Sequence, residues 1–125
     1  MNKRKRETYI GPCPIAMAME VFGGKWKAAI LFHLNQRQSL RFSELNRRIP
    51  EVTQRILALQ LKELQRDGLV VRVEFDEVPP RVEYSATELA TSLTDVFRVI
   101  DNWTQTSAAQ IHRARQRYDD HHEIS

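Results

Sequence analysis

Phe42-Ser43-Glu44-Leu45-Asn46-Arg47-Arg48-Ile49-Pro50-Glu51-Val52-Thr53-Gln54-Arg55-Ile56-Leu57-Ala58-Leu59-Gln60-Leu61-Lys62-Glu63-Leu64-Gln65-Arg66-Asp67-Gly68 is the stretch that decides the fold. It predicts a helix, a tight turn and a second helix. Ser43 is expected to open the first helix, its hydroxyl accepting from a backbone N–H two or three residues on. Leu45 and Ile49 share one face, and Pro50 stops the helix because it disfavours α geometry in the residue before it. Thr53 caps the second helix after a turn of Pro50, Glu51 and Val52. Asp67-Gly68 ends it, since glycine readily takes the left-handed conformation of a helix C-terminus.

At about 100° per residue, Thr53, Leu57, Gln60, Leu61 and Leu64 fall on one side of the second helix, with Ile56 at the edge. Gln60 is the polar member of that stripe and would need hydrogen-bond partners there. The opposite side carries Arg55, Ala58, Leu59, Lys62 and Arg66, with Gln54 beside it at the amino end. Such a face suits a DNA major groove. Gln pairs in two places with adenine, Arg with guanine, and a small apolar side chain meets a thymine methyl. Between Arg41 and Arg66 six basic residues stand against three acidic ones, a local excess of +3. A solvated amphipathic helix with ordinary surface charge would look similar, so the following segment matters.

After Gly68, Val71, Val73 and Phe75 alternate with Arg72 and Glu74, the period of a half-buried strand. Asp76 to Pro80 breaks the pattern, and Arg81-Val82-Glu83-Tyr84 returns. Helix-turn-helix followed at once by a hairpin is a winged helix. Arg41 and Ser43 at the entry to the first helix, and Arg72 and Arg81 on the wing, join the candidate DNA contacts. Glu74, Asp76, Glu77 and Glu83 make the hairpin acidic, so the wing is expected to be the weaker DNA element.

Taken in order, Cys13-Pro14, Gly23-Gly24-Lys25-Trp26, Arg41-Phe42-Ser43-Glu44-Leu45, Leu61-Lys62-Glu63-Leu64 with Asp67-Gly68-Leu69, and Pro79-Pro80-Arg81-Val82-Glu83-Tyr84-Ser85 resemble the HxlR-type winged-helix transcription regulators. The ordered set reaches from Cys13 to about Trp103. The resemblance implies a cytoplasmic, homodimeric bacterial or archaeal regulator bound to double-stranded DNA at an inverted-repeat operator. It also implies, as in many members, a cysteine at position 13 that senses an oxidant or electrophile. Where the family often has glycine, this chain has Ala90, which should alter local helix packing slightly.

The expected fold is mainly α with a small β-hairpin (α+β), a winged helix-turn-helix with N- and C-terminal dimerisation helices. Residues 1–12 are expected to be a flexible basic arm carrying Lys3-Arg4-Lys5-Arg6, and residues 13–103 the DNA-binding domain with the start of the C-terminal helix. Residues 104–125 are then the end of that helix and a polar tail. From Thr87 onward one long helix is expected, with Leu89, Leu93, Val96, Ile100 and Trp103 along a seam of about 3.5 residues and Phe97 widening it. A small winged helix has little core for so many large apolar side chains, so a second copy is expected to cover them. Ile15 and Met19, on a helix from Pro14 to about Phe22, are expected to join that interface. Trp26, Ile30 and Leu34 read as core, and His33 as a hydrogen-bonded core histidine.

The chain has 125 residues, a net charge of +3 and a single cysteine. One domain with extended ends fits the length. No apolar run has transmembrane length and no signal peptide is visible. A lone cysteine excludes an intrachain disulfide framework and fits a reducing cytoplasm. No enzyme and no cofactor are expected: there is no glycine-rich phosphate loop, supported acid pair or metal-ligand set at helical spacing. Asp119-Asp120-His121-His122-Glu123 reads as a frayed polar tail and not as a metal site. Pro14 at the first helical position would put Cys13 at the N-cap, where the helix dipole favours the thiolate that attacks oxidants and electrophiles. Two rivals stay open on sequence alone. One is a regulator answering to a small molecule without thiol chemistry, and the other a winged helix used for protein–protein contact.

Overall fold

Pro14 lacks an N–H that the first turn of a helix would leave unused, and helix α1 (Pro14–Phe22) begins there. The computed structural model describes residues 8–37 and 39–122; the basic cluster at 3–6 and Glu123 lie outside the described residues. Gly23 closes α1 by donating to the Met19 carbonyl at 2.8 Å, so closely that a Cβ there would sit 2.3 Å from that oxygen. The following elements are α2 (Lys27–Gln36), β1 (Leu40–Arg41), α3 (Phe42–Arg48), α4 (Gln54–Arg66), β2 (Val70–Phe75), β3 (Arg81–Ala86), α5 (Glu88–Thr91) and α6 (Thr94–His122). The chain divides into two compact units between Thr91 and Ser92.

In the first unit, Ile30, Leu31 and Leu34 of α2 are buried together with Leu45, Leu57, Leu61, Leu64 and Leu69. Fully burying each such side chain is worth about 1.5–3 kcal/mol. The turn between α3 and α4 is closed twice, by Val52 N–H to the Ile49 carbonyl (3.2 Å) and by Asn46 Nδ2 to the Val52 carbonyl (3.0 Å). Thr53 caps α4 as expected, its hydroxyl accepting from Ile56 N–H. At the far end Gly68 has φ +81°, with Gly68 N–H bonding the Gln65 carbonyl and Leu69 N–H the Leu64 carbonyl. That is a Schellman ending, and its apolar contact partners Leu64 and Leu69 are both buried.

Ser43 does not cap α3. The helix starts at Phe42, Arg41 is the N-cap residue, and the Glu44 carboxylate accepts from the Arg41 backbone N–H at 2.8 Å. Ser43 is the second residue inside the helix and so past the capping position, while the Glu44 carboxylate satisfies the Arg41 N–H with its charge aligned to the dipole.

The hairpin is part of a three-stranded antiparallel sheet in the order β1-β3-β2, with Arg41 opposite Glu83 and Phe75 opposite Arg81. β1 was not foreseen. The half-buried face expected for Val71 and Val73 is not buried either: both are exposed, and Val70 is the buried residue of β2. Burial in the hairpin falls on Val70 at its base and on the half-buried β3, while Val71 to Glu74 of β2 are exposed on both faces of the strand.

Thr87 stitches the hairpin's base, its N–H bonding the Leu69 carbonyl (3.0 Å) and its hydroxyl the Gly68 carbonyl (2.7 Å) while accepting from Ala90 N–H. Ala90 is fully buried and its carbonyl accepts from Asn35 Nδ2, so its methyl packs in α5 without disturbing that element. The single helix expected from Thr87 is interrupted at Ser92-Leu93, where the Thr91 hydroxyl turns back to the Glu88 carbonyl. Leu89 therefore belongs to α5 and Leu93 to the turn, and the seam is not continuous. In the second unit α6 runs 29 residues. Its last turn is ordered helix rather than frayed tail, with His121 and His122 ring nitrogens at the Arg117 and Tyr118 carbonyls.

Candidate nucleic-acid interface

α4 turns Leu57, Leu61 and Leu64 into the core, which leaves Arg55, Leu59 and Lys62 exposed on the opposite side, while Gln54 is exposed at the amino end of the helix. Ala58 is half-buried between them, in a shallow hollow lined also by Arg55, Ile56, Leu59 and Lys62. Gln60 stays half-exposed at the border of the stripe. Arg55 and Lys62 have no ion-pair partner among the described residues. Arg66 differs, its guanidinium lying 3.1 Å from Asp67. Thr53 and Ser43 are exposed at the amino ends of the two helices, and Arg41 is exposed at the start of α3.

The wing arginines are arranged otherwise. Arg81 reaches Glu77 at 2.9 Å and Glu83 at 3.2 Å, and lies 4.1 Å from the Phe75 ring centre. Glu83 in turn accepts from the Ser39 hydroxyl at 2.6 Å. Arg72 lies 3.4 Å from Glu74, and a hydrogen bond to Tyr84 first, with Glu74 after it, holds its pKa up. The local acidity read in the hairpin is thus spent on its own arginines. Arg81, expected among the DNA contacts, is held by two carboxylates of its own hairpin.

Below α4, Lys27 is buried and its ammonium lies 2.7 Å from the Glu63 carboxylate. The hydrogen bond and charge of Lys27 hold the Glu63 carboxyl below its ordinary 4.5. This pair was missed from sequence, although a signal existed: Lys27 shares the i, i+3, i+4, i+7 stripe with Ile30, Leu31 and Leu34. His33 is half-buried rather than a hydrogen-bonded core residue. Its Nδ1 has no partner among the described residues, and burial, followed by the Arg48 charge, pushes its pKa below 6.5.

Cys13 is exposed at the N-cap of α1, where its carbonyl accepts from Ala16 N–H at 3.0 Å. Ile15, Met17 and Met19 of α1 are exposed, as are Leu89 of α5 and Val96, Val99, Ile100 and Trp103 of α6. Phe97, expected in the seam, is already buried within the single chain, and Leu93 is half-buried. Among the described residues no group of three His, Cys, Asp or Glu side chains could hold a metal, and no helix is long and apolar enough to cross a membrane.

A short-turned pair of helices with a basic outer face, backed by a three-stranded sheet whose last two strands form a wing, defines a winged helix-turn-helix protein. The chain belongs to the HxlR-like helix-turn-helix family, whose model matches residues 21–112. It is 43% identical over 91 residues to YdeP, an HTH-type transcriptional regulator of Bacillus subtilis (strain 168), covering 73% of this chain and 70% of that one. Among solved structures it is similar to the redox regulator HypR in its reduced form, with TM-score 0.76, 37% identity and coverage of 81% of this chain and 99% of that one. HypR in its oxidised form matches at TM-score 0.71 and 40% identity, over 75% of this chain and 96% of that one. The reduced form of the transcriptional regulator YodB from B. subtilis matches at TM-score 0.66 and 34% identity, over 75% and 93%. This protein is a transcriptional regulator of the helix-turn-helix type. Cys13 precedes the residues matched by the family model.

Proposed function

We propose that this protein is a homodimeric, sequence-specific DNA-binding regulator of an inverted-repeat operator, acting in the cytoplasm and tuned by oxidants or electrophiles through Cys13. The observation that carries the DNA reading is the exposed outer face of α4, where Arg55 and Lys62 stand without carboxylate partners among the described residues. A guanidinium in that position can pair in two places with guanine, and Gln54 with adenine. Arg41, Ser43 and Thr53 then reach the flanking backbone, and Arg72 remains a secondary phosphate contact. Two such faces in a symmetric dimer would read half-sites about 34 Å apart, one helical turn.

A second copy is the natural cover for the exposed apolar stripe Val96, Val99, Ile100 and Trp103, together with Ile15 and Met19. Thiol sensing is supported by the exposure of Cys13 at a helix amino end and by the likeness to HypR and YodB, of which HypR is called a redox regulator. Peroxide would oxidise the thiolate to a sulfenic acid, which a second copy's cysteine or a small thiol converts to a disulfide with release of water.

The test is an electrophoretic shift on the protein's own upstream DNA, before and after mild oxidant or quinone, with wild type and Cys13→Ser. Wild type is expected to prefer one fragment, to lose affinity steeply with salt, and to change affinity on oxidation, while Cys13→Ser stays constant. Absence of any sequence preference would defeat the DNA reading. An unchanged affinity with Cys13 modified would defeat sensing, and an equal response in Cys13→Ser would move it elsewhere, to a small-molecule site for example.

A further inference from the structure

We propose that Lys27 and Glu63 are a positioning pair whose ion pair fixes the rotation of α4 about its own axis, and so the direction in which Arg55 and Lys62 are presented to DNA. This rests on the reading of α4 as the DNA-contacting helix.

Lys27 is 7% exposed and is the one charged residue buried among the described residues. Its ammonium meets Glu63 at 2.7 Å, joining α2 to α4. Stability gives little reason to keep such a pair, because apolar residues of similar volume usually serve as well or better. Directionality does. The leucines under α4 make non-directional contacts that tolerate a small turn of the helix, whereas a charged hydrogen bond holds within a few tenths of an ångström.

Glu63 is well placed for this task. At about 100° per residue it lies about 40° from Leu59, on the flank between the buried leucines and the outer face. A turn of about 20° would sweep the helix surface, roughly 6 Å from the axis, through about 2 Å. That exceeds the window in which a two-point contact between guanidinium and base survives. The neighbouring cation Arg66 makes its direct contact with Asp67, and the direct contact of Glu63 is with Lys27.

The full-length Lys27→Met/Glu63→Leu double variant tests the proposal. It is compared with wild type for melting temperature and for affinity toward two duplexes: the shortest upstream fragment that wild type shifts, and a scrambled one of equal length. The expected result is a melting temperature at or above that of wild type. The ratio of specific to scrambled affinity should fall by about tenfold, with scrambled affinity within about twofold, because the phosphate-facing charges remain. An unchanged ratio in the folded variant overturns the proposal, as does an equal loss on both duplexes. If the double variant does not fold, Glu63→Gln decides, with about a threefold fall expected on the same scale and an unchanged ratio overturning the idea. A wild type that prefers no fragment refutes the DNA reading itself, which separates the two failures.

Discussion

α4 and the β2–β3 hairpin each carry two candidate DNA-binding cations, and the structure treats them oppositely. Arg55 and Lys62 stand on an exposed helix face with no carboxylate partner among the described residues, whereas Arg72 and Arg81 are paired with Glu74, Glu77 and Glu83. Spacing explains the contrast. On the helix Arg55 and Lys62 lie seven residues apart on one face, while the acidic Glu63 is turned aside to Lys27. On the hairpin, antiparallel pairing sets Arg81 opposite Phe75, and Glu77 and Glu83 close on it from the same segment. Of the candidate contacts, those on α4 are thus left free by their neighbours, while those on the wing would have to exchange a weak surface ion pair for a phosphate.

The strongest way to break this contrast is at its foundations. Leu61→Ala empties a buried site beneath α4 and should cost about 2–5 kcal/mol in chemical denaturation. Val73→Ala on the exposed wing should cost no more than about 0.5 kcal/mol. Comparable losses would mean that the wing is packed as tightly as the helix.

Next in size is base readout. Arg55→Ala should weaken operator binding by about 1–3 kcal/mol and relax preference at one base position, measured by competition between operator variants. Arg81→Ala should leave base preference intact and instead loosen the hairpin, visible as faster amide exchange in β2 and β3. The reverse outcome would invert the assignment of the two regions.

Smaller still, Lys62→Ala should weaken all sequences alike and reduce the slope of log affinity against log salt by about 1. Arg72→Ala should change that slope less, its charge being already balanced by Glu74. The smallest effects concern pH. His33 has its pKa lowered by burial, so its contribution to stability is full above 6.5 and is lost as pH falls from there through the folded value. Glu63, also lowered, contributes fully above 4.5 and loses that contribution as pH drops through its own folded value. Melting temperatures from pH 8 downward should fall in that order, and His33→Gln should remove the first decline.

Much of the reading helix was legible in the chain. Thr53 and Asp67-Gly68 act through contacts within one turn, and the leucine stripe announces its buried face by its period, so local pattern suffices to place them. Residues whose role depends on distant partners were not. β1 is two residues long and carries no periodicity, and it exists because Leu40 and Arg41 meet Tyr84 and Glu83. The break at Ser92-Leu93 has neither glycine nor proline to announce it. The stacking of Arg81 on Phe75 needed the hairpin register, although Lys27 within an apolar stripe was a visible clue to its pair with Glu63.

Thr87 has a consequence for how this molecule can vary. By bonding Gly68 and Leu69 it joins the two feet of the wing, so the hairpin between them is a loop already closed at its root. Lengthening a closed loop costs little, since the entropic penalty rises only with the logarithm of its length. The tip from Asp76 to Pro80 can therefore gain or lose residues without disturbing the end of α4. The helix is bound to its register, while the wing is free to be refitted.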